Sequence, residues 1–87
     1  MLKLVGLVGN DVSSKQFILR YFLDLGFKQL ILTQEELHQK HSYLKYVSTS
    51  VIIPDVVSVH HRNFLLNNRG SLIILNYGRK VEFKHFK

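Results

Sequence analysis

Short, nearly unbroken apolar runs alternate with stretches of helical period along this chain. Leu2 to Val8 is apolar and closes on Gly9-Asn10-Asp11, the pattern of a buried strand entering a turn. Phe17, Ile18, Tyr21, Phe22 and Leu25 then recur at helical spacing, with Ser13 or Ser14 as the cap and Gly26 as the stop. Phe27 to Leu32 predicts a second strand. Thr33-Gln34-Glu35-Glu36 has the form of a capping box and predicts a second helix to about Tyr43 or Lys45. Val47 to Ile53 predicts a third strand that Pro54 ends. Ser58 predicts the cap of a third helix, carrying Val59, Phe64, Leu65 and Leu66 and stopping at Gly70. Leu72 to Leu75 predicts a fourth strand. After the turn Asn76-Tyr77-Gly78, Lys80 to Phe86 alternates as a last strand, with Val81, Phe83 and His85 on one face.

Strands alternating with helices imply parallel pairs joined by right-handed crossovers. The first four strands are apolar throughout, as strands covered on both faces are. The expected fold class is therefore α/β: a mostly parallel four-stranded sheet, about three helices, and a short antiparallel C-terminal edge strand guarded by lysines.

Composition narrows the chemistry. Eighty-seven residues suit one domain, residues 1–87, and 46% apolar content supports a core and argues against disorder. The absence of cysteine removes disulfides, thiolate metal sites and a cysteine nucleophile. It also fits a cytoplasmic location. No apolar stretch is long enough to predict a membrane span, and the opening residues read as a strand and not as a signal peptide.

The net charge of +6 is uneven. Up to Val59, six basic residues face five acidic ones. From His60 onward, Arg62, Arg69, Arg79, Lys80, Lys84 and Lys87 face Glu82 alone, a balance of +5. This basic third is the candidate surface for an acidic protein or for nucleic acid, or it is charge that keeps a small domain soluble. Phe83 and Phe86 interleave there with Lys84 and Lys87, a pattern that serves base stacking or sheet extension. Tyr43 and Tyr46 flanking Lys45 are a second stacking candidate. Adjacent His60 and His61 point in different directions on a helix and lack a third ligand, so no metal site is expected.

The segment between the first strand and the first helix carries the other candidate chemistry. Gly9 and Lys15 stand at the first glycine and the lysine of the pattern G-x-x-x-x-G-K-[ST], while Ser14 replaces the second glycine and Gln16 the hydroxyl residue. Lys15 at a helix N-terminus favours an anion, and Asp11 opposes one. An amide at Gln16 is a poor ligand for Mg²⁺. Gly9, Ser13, Ser14, Lys15 and Gln16, with Asp55 at the end of the third strand, are the candidate phosphate-binding residues.

Gly6 through Lys15 and the following Phe17 to Phe27 resemble the opening of the deoxynucleoside monophosphate kinases of tailed phages and of the related dephospho-coenzyme A kinases. Val51 to Val57, then His60 to Leu65 and Arg69 to Ile74, resemble a later part of the phage enzymes, in the same order. The resemblance implies a P-loop-like sheet, ATP with Mg²⁺ as the ligand to consider, and a bacterial host cell as the location. The chain departs from that pattern at Ser14, Gln16, Val57, His60 and His61, and it compresses the acceptor and lid regions of the longer enzymes. The expectation is a shortened kinase relative, without catalytic residues or cofactor, that binds and modulates a host protein. Residual binding of ATP or a deoxynucleotide is the alternative, and nucleic-acid binding through the basic third is a further one. Exposed sheet edges also make a homodimer an open reading.

Overall fold

The computed structural model describes residues 3–31 and 49–86. The elements run β1 (Leu4–Val8), α1 (Val12–Asp24), β2 (Lys28–Gln29), β3 (Val51–Ile53), α2 (Val59–Asn67), β4 (Ser71–Ile74) and β5 (Glu82–His85). The strands form one sheet in the order β2-β3-β1-β4-β5. β1 pairs in parallel with β3 and β4, β2 pairs in parallel with β3, and β5 runs antiparallel to β4. The architecture is thus α/β with a mostly parallel, mixed sheet.

Two counts differ from expectation. The sheet has five strands, because β5 is hydrogen-bonded to β4 along its whole length and belongs to the same sheet. Two helices are described; the one expected after Thr33 lies outside the described residues, as do Tyr43, Lys45 and Tyr46. β2 is also shorter than the apolar run that announced it. Leu30 still turns into the core, and its amide donates to the Ile52 carbonyl.

Alternation along the strands sorts the core into two layers. Leu4, Val51, Ile53 and Leu72 face α2, where they meet Val56, Phe64, Leu65 and Phe86. Val5, Leu7, Ile52 and Ile73 face α1 and meet Phe22, with Ile18, Leu19, Leu23 and Phe27 around it. Gly6 belongs to the α2 layer. A Cβ there would lie 2.7 Å from both Leu65 Cδ1 and Val56 Cγ2, so the missing side chain is what lets α2 sit against the central strand.

The end of α1 follows the sequence signal. Gly26 has φ of +100°, its amide donates to Leu23, and the amide of Phe27 reaches back to Phe22. The rings of Phe22 and Phe27 meet edge to face at 4.9 Å, completing a Schellman cap with its apolar contact. The end of α2 departs from the signal. Arg69, not Gly70, takes the left-handed conformation, with φ of 55°. Gly70 serves close packing instead: a Cβ there would stand 2.8 Å from Leu65 Cδ2 and 3.0 Å from Leu4 Cγ.

These two positions therefore respond oppositely to substitution. Arg69→Gly is expected to stabilise by about 0.5–1 kcal/mol, raising Tm by roughly 3–6 °C. Gly70→Ala is expected to cost about 1–3 kcal/mol by overpacking Leu65 and Leu4. Thermal unfolding of both variants checks the assignment, and a loss of stability in Arg69→Gly would contradict it.

Candidate functional site

α1 leaves the end of β1 toward one face of the sheet, and the chain beyond β3 leads to α2 on the other. The carboxyl ends of β1 and β3 thus bound a crevice, the position where open α/β sheets receive ligands. Lys15, in the first turns of α1, and Asp55, just past Pro54, meet there at 3.1 Å from Nζ to Oδ1. Their contact spans forty residues of sequence. The lysine side chain is only 16% exposed and the aspartate 57%. Val12, Gln16, Leu19 and Pro54 complete a shallow hollow of about 210 Å³ around the pair. A neighbouring hollow of about 240 Å³ joins Asp55 to Leu30, Ile31 and His61.

The segment ahead of Lys15 is a tight turn. The loop is Gly9 to Asp11, and α1 has begun by Val12. Asp11 caps the helix: its Oδ1 accepts the Ser14 amide at 3.1 Å and its Oδ2 accepts the Ser14 hydroxyl at 2.7 Å. This corrects the expectation of a Ser13 or Ser14 cap. Both serines lie inside the first turn, and Asp, equally suited to capping, stands one residue before the helix. The Asp11 amide donates to Leu75 and the Leu75 amide to Val8, so the turn is laced to the end of β4. Asn10 reinforces the lacing, donating its amide to Asn76 Oδ1 and accepting the Tyr77 amide. A Cβ on Gly9 would overlap the Leu75 carbonyl, and its φ of +126° is open only to glycine.

The six expected phosphate-binding residues therefore divide. Lys15, Gln16 and Asp55 share the hollow beside β3. Ser13 and Ser14 lie on the opposite flank of α1, lining a groove of about 260 Å³ with Phe17, Ile18, Leu75 and Val81. Gly9 is packed on Leu75 between them. Helical geometry is the cause: successive residues turn about 100°, and once Ser13 and Ser14 are helical they cannot converge on the side of Lys15.

The basic residues divide as well. Arg62 and Lys84 line one groove of about 490 Å³ between α2 and β5, floored by Val59, Leu66 and Phe86. Arg69 is exposed at the end of α2, and Arg79 and Lys80 are exposed in the turn before β5. Lys87 lies outside the described residues. Phe83 and Phe86 do not make a joint stacking surface. Three residues apart on an extended segment, they face opposite sides of the sheet, Phe83 at 57% exposure and Phe86 buried at 9%. Sequence reading missed the Asn10–Asn76 lacing, for which two asparagines in separate turns gave the only signal.

Among the described residues, no group of three His, Cys, Asp or Glu side chains is placed to hold a metal ion. None of their helices is long and apolar enough to cross a membrane.

Two pH dependences follow. The Ser14 hydroxyl and amide hold the Asp11 carboxyl below its ordinary 3.8. The cap therefore contributes fully above the unfolded value and is lost as pH falls through the depressed one. The Tm gap between the native chain and Asp11→Ala is expected to be constant above about pH 5 and to shrink below about pH 4. A gap unchanged in acid would refute the cap. Burial, outweighing the nearby Asp55, lowers His61 from its ordinary 6.5, and its Nδ1 lies 2.8 Å from Ser58 Oγ. The fold prefers this ring neutral, so stability is full above about pH 7 and declines as pH falls from 6.5 to the depressed value. His61→Gln is expected to flatten that decline in thermal unfolding followed between about pH 7 and 5.

No protein-family model matches this chain, and neither the curated proteins nor the solved structures contain a chain that matches it.

Proposed function

We propose that this protein is a non-catalytic binding protein, a shortened P-loop-like relative of the nucleotide kinases it resembles. It acts by binding and modulating another protein, in the host cytoplasm if the source is a phage. One observation carries this reading: the groups that would cradle a phosphate are engaged within the chain, and the described cations of the C-terminal third make no ion pair among the described residues. The amides of Asn10, Asp11, Ser14 and Lys15 all donate to partners of the chain's own. The ammonium of Lys15 is held by Asp55. Phosphoryl transfer rests on positioning and on neutralising phosphate charge, and a lysine already paired with Asp55 provides neither. By contrast, among the described residues Arg62, Arg69, Arg79, Lys80 and Lys84 have no carboxylate within ion-pair distance.

The position of Lys15 at the crevice favours a second reading, residual nucleotide binding without turnover. Thermal unfolding separates the two. A nucleotide at about 100 times its Kd would add about 2.7 kcal/mol, a Tm rise on the order of 10 °C. The proposal expects Mg-ATP and a deoxynucleoside monophosphate at millimolar concentration to leave Tm unmoved, in the native chain and in Lys15→Ala alike. A rise in the native chain that Lys15→Ala abolishes would replace it with the nucleotide reading.

A further inference from the structure

β5 is an edge strand of the sheet. Among the described residues it pairs with β4 alone, and all four of its residues are exposed. The Phe86 amide donates inward to Gly70. By the two-residue alternation of a strand, the backbone groups of Lys84 and Glu82 also face β4, and those of Phe83 and His85 point away from it, toward an added strand. The edge is fastened near its end, where Ser71 Oγ, wholly buried, lies 2.8 Å from His85 Nδ1.

The two faces flanking this edge differ in chemistry. On the α1 side stand Val81 and Phe83, with Phe17 and Tyr21 one helical turn apart on α1; all four are more than half exposed. Phe17 and Val81 share one groove, and no carboxylate lines it. On the α2 side stand Lys84 and Arg62 over an apolar floor. The ammonium of Lys84 is 5.3 Å from the Phe86 ring centre, which favours its staying on that side. Glu82 shares the Lys84 side and is outnumbered by the two cations. Lysines commonly guard an edge against pairing, but here the guard stands on one side only.

From this asymmetry we infer that β5 accepts an extended segment of another protein as a sixth strand, one whose side chains alternate acidic and apolar. Its apolar residues lie beside Phe83 and Val81, and its carboxylates beside Lys84 and Arg62. The inference rests on the protein-binding reading above and names the partner's chemistry. Side chains of an added strand continue the two faces of its neighbour, and opposite charges directly across stabilise while like charges oppose. A second copy of this chain, paired antiparallel about Phe83, would set Glu82 opposite Lys84, and it is read in the test as protection that rises with protein concentration alone. The geometry disfavours a nucleic acid: the exposed ring of Phe83 and the cations are on different sides of the sheet, and Phe86 is already covered.

Amide hydrogen exchange on the full chain tests the inference, with short synthetic peptides alternating Glu with Val or Lys with Val, and a DNA oligomer. The Glu-Val peptide is expected to slow exchange at Phe83 and His85 by about tenfold or more, and the Lys-Val peptide to leave both unchanged. Lys84→Glu is expected to weaken the effect of the Glu-Val peptide and strengthen that of the Lys-Val peptide. Phe83→Pro is expected to abolish the slowing at His85 by the Glu-Val peptide while the fold persists, because the amide it removes faces away from β4. Four outcomes would overturn the inference: no protection by either peptide, equal protection by both, protection that rises with protein concentration alone, or protection by DNA. None of these depends on the response to Mg-ATP, so this failure and that of the binding-protein reading are read separately.

Discussion

Everything in this fold is hung on β1. It is the one strand to which both halves of the sheet bond, β3 on one side and β4 on the other, and it is buried from Leu4 to Leu7. A strand in that position must satisfy two helices at once. Val5 and Leu7 meet the α1 layer and Leu4 the α2 layer, and Gly6 gives Leu65 and Val56 the space that a side chain would fill. Parallel pairing on both sides also carries the chain out of β1 and β3 toward opposite faces, which creates the crevice where Lys15 meets Asp55.

The same constraint shapes the turn that follows. Because β4 lies directly beside β1, its last residues meet the Gly9–Asp11 turn, and the backbone groups of the two segments bond to each other. Gly9 is needed for that approach, and Asp11 then falls at the helix cap. A loop bonded in this way has directed its donors inward. The β5 edge is the opposite case: its outward backbone groups face away from the sheet, and its cations lack carboxylate partners among the described residues. The two regions are thus complementary parts of one reading, an inward-satisfied loop and an outward-facing edge.

Much of this was legible in the sequence. Apolar runs and helical spacing placed every described element, and Gly26 and Ser58 marked helix ends that the structure retains. Parity along β5 was legible too, since an odd separation puts Phe83 and Phe86 on opposite faces. What escaped depends on contacts distant in sequence. Three residues, Asp11, Ser13 and Ser14, are all good caps, and which one serves is decided by where the turn meets Leu75. Gly70 looked like a helix stop, yet it is required by Leu65 and Leu4, so Arg69 takes the left-handed position. The spacing of Gly9 and Lys15 suggested a loop wrapped around an anion. It could not show that the helix begins early enough to send Ser13 and Ser14 to the other flank.

The turn between β1 and α1 is satisfied from within. A chemical-shift titration of the ¹⁵N-labelled chain with Mg-ATP reads it at the residues concerned. The amide signals of Asn10, Asp11, Ser14 and Lys15 are expected to stay in place up to millimolar nucleotide. Saturable movement of those four signals together, with Lys15 released from Asp55, would contradict it.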